Sequence, residues 1–548
     1  MPLNALKSLG PCLTTELAQH LVKIYGISQV TARQRVARAA GPVKKLKHLP
    51  FARGVRFVYL EKDFRSPYYW DRLFAAILAS NSAYARALVA VQARGIVPIT
   101  HFSAACGAPI AQKKHISAGT VLERMVAAGV LERVEVPGIG ECVMTGRLSE
   151  RVEHMSPDAA AKFRARLIAE GILLDSVKEW LRRLGMASFN KVKVRGVAAD
   201  LPMVGTYAWD LTAPSYLGPL SGWGKDGVLK PGLIACDVLL AGSLSLASAE
   251  AFLYKVDALK ALKKLGRTLF IYVSEYFSAE AFQELRSAGI LPATPETLFG
   301  KDVAAGFREL NKVLVEAAVR SVSPDRFDML FSSLGKLEGA VGNMRGSLFE
   351  LLVAEVTRRD HPALVELNKI CRGKEGARAE VDVWLVIPNR EAHFIECKGH
   401  APGSSIDDEE IEQWLNKRIL TVRQHIDQFL DPKPTKLVFE LWYTGALSSE
   451  ALTRIERTRD ANRKKFEIKL VGAEEIRAKV RALNDASLLK TFEQHFLPPQ
   501  YTVPHHLASG FVENMTSDDE SERARRQSDF GAIVRDSRAI VRDFGAES

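Results

Sequence analysis

The stretch Val381-Asp-Val-Trp-Leu-Val-Ile387 constrains the fold more than any other. Apolar side chains at nearly every position suit a strand covered on both faces, which calls for helices layered above and below a sheet. An unpartnered carboxylate at its second residue, Asp382, is costly in such a strand. The next β-like run is Ala392-His-Phe-Ile-Glu-Cys-Lys398, and the link Pro388-Asn-Arg-Glu391 suits a hairpin. The two strands are therefore expected to be antiparallel neighbours. Alternate residues share a face, so Asp382 lies with Trp384 and Val386, and Glu396 with Phe394 and Lys398. The pattern predicts that Asp382 and Glu396 converge, with Lys398 beside them.

Two carboxylates in a partly buried site repel each other unless a cation neutralises them. Hard oxygen ligands select Mg²⁺, with Mn²⁺ as a substitute, over zinc. Such an ion stabilises charge on a phosphorane and acidifies bound water, and Lys398 can orient or deprotonate that water. Upstream, Gly342-Asn-Met-Arg-Gly-Ser-Leu-Phe-Glu350 opens a helix whose apolar stripe is Leu348, Phe349, Leu352, Val353 and Val356. Glu350 borders that stripe and is a candidate third carboxylate and metal ligand. Arg345 and Gly346, one turn earlier, offer a place where a nucleic-acid backbone approaches, and Lys417 offers a second phosphate contact from a later helix.

The 548 residues imply roughly three or four domains. Lys and Arg number 75 against 64 Asp and Glu, a net charge of +11 that suits a polyanionic partner. Six scattered cysteines without a CxxC pair fit reduced thiols in a cytoplasm, against a disulfide framework or zinc finger. No run of about 18 apolar residues is present, so no membrane-spanning helix is expected. Gly218 to Lys225 has the wrong spacing for a phosphate loop and is followed by Asp226 where Ser or Thr is needed, which excludes an NTPase of that kind.

Residues 1–65 read as a winged helix-turn-helix. Thr14-Thr-Glu16 starts a helix, Tyr25-Gly-Ile27 turns, and Ser28 to Arg38 forms a second helix with Val30 and Val36 toward the core. Arg33, Arg35 and Arg38 are candidate groove contacts, and Lys44, Lys45 and Lys47 on the wing are candidate phosphate contacts. Residues 66–150 read as a second unit resembling winged-helix proteins, with only Arg124 as a cation on the helix Ser117–Ala128, which suits scaffolding. Residues 151–320 read as an α/β unit, opening with two helices over Pro157–Ala169 and Leu173–Leu184. Its order of strands and helices recurs in the stretch around Asp382, which suggests an internal duplication. Asp210 then matches Asp382, Asp237 matches Glu396, and Leu239 takes the place of the lysine, making this a degenerate copy. The tail 503–548, with Thr516-Ser-Asp-Asp-Glu-Ser-Glu522 and little apolar periodicity, is expected to be disordered.

Residues 321–502, with Asp382, Glu396-x-Lys398 and the flanking helices, resemble the PD-(D/E)xK nuclease superfamily, the restriction-endonuclease-like fold in its Mrr-like and resolvase-like range. That family's core is a helix, a three-stranded meander, a helix and a strand. Here the matching ranges are 343–358, a strand before 378, 379–387, 391–398, 407–428 and 436–444. The resemblance implies metal ligation by Asp382 and Glu396, a catalytic Lys398, a helical Glu350, and a helix glutamine at Gln413. The fold class expected is thus multidomain α+β and α/β: tandem winged helices, a degenerate nuclease-like domain and a C-terminal restriction-endonuclease-like domain. It implies a Mg²⁺-dependent endonuclease acting on DNA in preference to RNA, as a homodimer or with partner proteins. By analogy of fold, prokaryotic genome defence or DNA processing is the expected setting. The alternative is a non-catalytic DNA-binding or assembly protein that uses the nuclease fold as a platform.

Overall fold

Short helices and strands alternate at the N-terminus as α1 (Pro2–Leu9), β1 (Cys12–Leu13), α2 (Thr14–Tyr25), α3 (Gln29–Arg38), β2 (Val43–Lys45) and β3 (Phe57–Leu60). The strands form an antiparallel sheet in the order β1-β3-β2. Gly26, at φ 60°, stops α2, and the Ser28 hydroxyl accepts the Thr31 N–H to start α3. Ala32 and Val36, four residues apart, put one face of α3 in the core. Val30 lies off that face in the first turn and is 66% exposed, contrary to the expectation that it packs inward. The computed structural model describes residues 1–498 except 137–138, 147–156, 189, 197–200, 224–227, 263–265, 318–324, 336, 338–339, 362–364, 388 and 402. The tail expected to be disordered lies outside the described residues.

The next segment is α4 (Pro67–Ala79), α5 (Ala83–Arg94), β4 (Ile96–Pro98), α6 (Ile99–Ala105), α7 (Ala118–Ala127), β5 (Leu131–Val136) and β6 (Gly140–Thr145). Its antiparallel sheet runs β4-β6-β5. Tyr69, Trp70, Leu73, Leu88 and Val121 anchor its core, which continues to Leu46, Leu49 and Phe57 of the first segment. The first segment keeps a core of its own around Leu6, Leu17, Leu21, Val36 and Val58, and the two segments meet at Leu46, Leu49 and Phe57.

The first α/β unit opens with a single helix, α8 (Pro157–Arg183), where two were expected. Then come β7 (Lys193–Val194), β8 (Leu211–Ser215), β9 (Gly232–Leu244), α9 (Leu246–Lys260), β10 (Thr268–Phe277), α10 (Ala279–Ser287), β11 (Ile290–Ala293) and α11 (Lys301–Ala317). The sheet order is β7-β8-β9-β10-β11, antiparallel through β9 and parallel beyond it.

The second α/β unit repeats that plan. After α12 (Asp325–Leu334) it runs α13 (Ala340–Asp360), β12 (Val365–Arg372), β13 (Arg378–Val386), β14 (Glu391–Lys398) and α14 (Asp408–Gln413). A π-helical turn, Trp414–Arg418, leads into α15 (Ile419–Phe429), β15 (Lys436–Tyr443), α16 (Ser449–Asn462), β16 (Glu467–Val471), α17 (Ala473–Ala482) and α18 (Ala486–Phe496). The sheet order is β12-β13-β14-β15-β16, with the same switch from antiparallel to parallel after the third strand. Both units are thus a helix, an antiparallel three-stranded meander, a helix and two parallel strands. Trp384, Phe394 and Phe439 fill the layer between this sheet and the helix bearing Trp414, Ile419 and Val422. Met1–Phe496 packs as one unit, and no helix among the described residues is long and apolar enough to cross a membrane.

Candidate active site

Strand register brings the acidic residues together. Val383 pairs with Ile395 on one side and Leu367 on the other. Asp382, one residue back, therefore stands between Glu396 of β14 and Asn368 of β12. The Cys397 N–H donates to Asp382 Oδ2 at 2.7 Å, tying the carboxylate to the neighbouring strand. Glu396 is 3% exposed and Lys398 Nζ lies 3.2 Å from its Oε1. Lys398 also pairs with Glu410 of α14 at 2.6 Å, and Arg418, ending the π-helical turn, pairs with Glu396.

Glu350 reaches the same region from α13. The approach is close because residue 399 is glycine: a Cβ there would stand 2.3 Å from the Phe349 side chain. Burial, Glu396 and Glu350 hold the Asp382 carboxyl well above its ordinary range. Burial and Glu380 push Glu350 up to about 8. Burial raises Glu380 too, against the opposing pull of Arg164 and Arg418. Lys398 moves the other way from an isolated buried amine. Burial lowers it, but Glu396 and Glu410 outweigh burial and keep it above its usual value, a charged ammonium at neutral pH. It is held here by Glu396 and Glu410 as a charged donor.

Burial and Glu380 favour the neutral form of Glu350, for which glutamine is a near-isostere. Glu350→Gln is expected to change unfolding free energy at pH 7 by less than about 1 kcal/mol in urea titrations. A loss of about 3 kcal/mol or more would mean that an ionised Glu350 holds the helix in place.

Four carboxyl groups, Glu350, Glu380, Asp382 and Glu396, thus share a region with three cations, Arg164, Lys398 and Arg418. An excess of hard, crowded oxygens is the condition that a divalent cation relieves, and the donor chemistry fits Mg²⁺ or Mn²⁺. The described residues hold no group of three or more His, Cys, Asp or Glu side chains gathered to bind a metal. Asp382 and Glu396 are the pair that the strands bring together, and Glu350 is not closed onto them as a third ligand.

Other candidate residues lie elsewhere. Gln413 is exposed and donates to Glu409 at 3.2 Å, so the strands meet Glu410 and Arg418 from this helix instead. Lys417 is exposed, and Arg345 Nε donates to the His495 carbonyl at 3.2 Å. In the N-terminal segment Arg33 and Arg38 are exposed, and Arg35 turns back onto the Met1 sulfur. Lys45 donates to the Ala37 carbonyl at 2.6 Å, and Lys44 lies 3.4 Å from Glu61. Lys44, Lys45, Lys47, His48 and Arg56 line a cleft of about 620 Å³ that also exposes Tyr59 and the stacked Phe64.

The first α/β unit holds a parallel arrangement. Leu211 pairs with Cys236 and Val194, so Asp210 stands between Asp237 and Arg195. The Val238 N–H donates to Asp210 Oδ2 at 2.8 Å, as Cys397 does to Asp382. Leu239 occupies the position of Lys398. Here cations fill the site: Arg195 pairs with Asp210 at 2.8 Å and with Glu170 of α8 at 2.5 Å. Lys255 of α9, fully buried, pairs with Asp237 and donates to the carbonyls of Ala104 at 3.1 Å and Ala208 at 3.0 Å. Arg164, Asn368 and Glu410 carry no signal in the sequence that marks them as site residues. Glu380 alone had a readable signal, since it shares the face of Asp382 two positions away.

No protein-family model matches the chain, and no curated protein matches it. Among solved structures, the restriction endonuclease FokI aligns over 89% of this chain and 82% of its own, with 10% identity and a TM-score of 0.18. A TM-score that low establishes no common fold.

Proposed function

We propose that the chain is a metal-dependent endonuclease of the restriction-endonuclease-like, PD-(D/E)xK kind, acting on DNA. The observation that carries this reading is the convergence of Asp382, Glu396 and Lys398 on neighbouring strands of a mixed sheet, with Glu350 on the preceding helix. The order of helix, meander, helix and parallel strand supports it, being that superfamily's core. Asp382 and Glu396 would hold Mg²⁺ or Mn²⁺, which when bound supplies Lewis acidity toward a phosphodiester. Lys398 presents an ammonium where charge develops on the phosphoryl oxygens, and Glu410 and Glu396 hold it in place. The first α/β unit we read as catalytically silent, because Lys255 and Arg195 satisfy the carboxylates and Leu239 supplies no cation.

The helix-strand-helix-helix-strand-strand order of residues 1–65 is that of a winged helix, which supports a DNA-binding role. The exposed Arg33 and Arg38 and the basic, aromatic-walled cleft support the same role. The double variant Arg33→Ala/Arg38→Ala is expected to weaken duplex binding and reduce the slope of log K against log salt by about 2. Anisotropy titrations across a salt series check this, and an unchanged slope removes α3 from the contact surface.

The test of the activity is incubation of the protein with plasmid DNA and with RNA, in Mg²⁺, Mn²⁺ or EDTA. Metal-dependent nicked or linear plasmid is expected. DNA binding without cleavage in any metal would favour the assembly-protein alternative.

A further inference from the structure

The two units differ in where one guanidinium comes from. In the first unit, Arg195 stands opposite Asp210 on the edge strand and holds both Asp210 and Glu170. The position opposite Asp382 in the second unit is Asn368, which is uncharged and adopts φ 52°. Asparagine tolerates that left-handed conformation better than most residues, and such a conformation beside a site is a reason to seek a role.

A guanidinium is present there nonetheless, delivered by α8 of the first unit. Arg164 Nη2 donates to the Asn368 carbonyl at 3.4 Å. With the Asn368 amide oriented to satisfy both of its ends, its oxygen accepts from Arg164 Nη1 and its nitrogen donates to Glu380 Oε1 at 3.2 Å. Arg164 also interacts electrostatically with Glu350 and Asp382. Its helix packs against α13, which carries Glu350.

We propose that Arg164 is a positioning residue for the second unit's site, donated by the silent unit. Through Asn368 it fixes the Glu380 carboxylate beside Asp382 and offsets the charge of the carboxyl cluster. The silent unit thereby completes the site chemically as well as supporting it. The activity part of this proposal rests on the nuclease reading, whereas the linkage of Arg164 to Glu380 does not.

The test compares full-length wild type with Arg164→Gln, Arg164→Lys, Glu380→Gln and Arg164→Gln/Glu380→Gln. Three quantities are read: Mn²⁺ binding by calorimetry, plasmid cleavage as kcat and KM, and thermal unfolding midpoint. Arg164→Gln is expected to lower kcat by about 10- to 100-fold, as loss of a partner behind reacting groups does, with KM for DNA changed less than about two-fold. Arg164→Lys should recover part of the loss. Adding Glu380→Gln should recover more, because it removes the charge that Arg164 offsets. Wild-type cleavage by Arg164→Gln, or a double variant as impaired as the product of the two singles, overturns the positioning role. Should wild type neither bind Mn²⁺ nor cleave, the nuclease reading fails and the linkage is judged by unfolding alone. Midpoint shifts of the double variant smaller than the sum of the singles then support it, and additive shifts overturn it.

Discussion

Lys398→Ala is expected to slow metal-dependent DNA cleavage by about 100- to 1,000-fold while leaving DNA affinity within about two-fold. The side chain is 15% exposed and held between Glu396 and Glu410, so its ammonium is fixed before substrate arrives. A donor fixed in advance costs little reorganisation as charge develops, and loss of such a donor falls on kcat. Asp382→Asn should match it for a different reason, since it keeps the shape of the side chain but removes a charge that would hold the metal. Single-turnover plasmid cleavage in saturating Mg²⁺ checks both. Full activity in Lys398→Ala would sink the assignment of chemistry to this unit. Equal loss in Lys398→Ala and Lys398→Arg would show that a cation here must also have the shape of lysine.

The second large effect is on stability and lies in the other unit. Lys255→Met is expected to cost about 3–5 kcal/mol of unfolding free energy, because it strands Asp237 in a buried site without its cation. Lys255 has 0% exposure, and its three N–H donors meet Asp237, Ala104 and Ala208. Its ammonium also lies 4.1 Å from the Trp209 ring centre. Met/Leu replacement of the pair (Lys255→Met/Asp237→Leu) should regain much of the loss, as an apolar pair of similar volume avoids the desolvation cost of two ions. Chemical denaturation followed by tryptophan fluorescence reads both variants. A Lys255→Met protein as stable as wild type would mean that the pair is not closed in solution.

Period-two patterning made the strands that carry the site legible, down to the register that sets Asp382 against Glu396. A buried strand tolerates few charges, so the exceptions mark themselves. The match of Asp210 and Asp237 to that pair was readable for the same reason, and both units show the same strand order and backbone contact to the first aspartate. Arg164 was not readable. It lies on a helix of another unit, and no local periodicity records which distant strand a helix end will meet. Val30 faces solvent because α3 is short and basic, and Ala32 and Val36 decide its inward face. Arg195 and Lys255 are not legible either, because a cation that neutralises a buried carboxylate looks, in sequence, like any surface lysine or arginine.

The helix that carries Gln413 runs on through a π-helical turn from Trp414 to Arg418. In an unbroken α-helix, eight residues carry a side chain about 80° past the face it started from. Glu410 and Arg418 are eight apart, yet one grips Lys398 and the other Glu396. A wider turn, which spends an extra residue on each hydrogen-bonded ring, takes back most of that rotation. The turn thus works as a phase correction: it brings two gripping side chains into line. Removing one residue from this turn would alter the angular timing of everything after it.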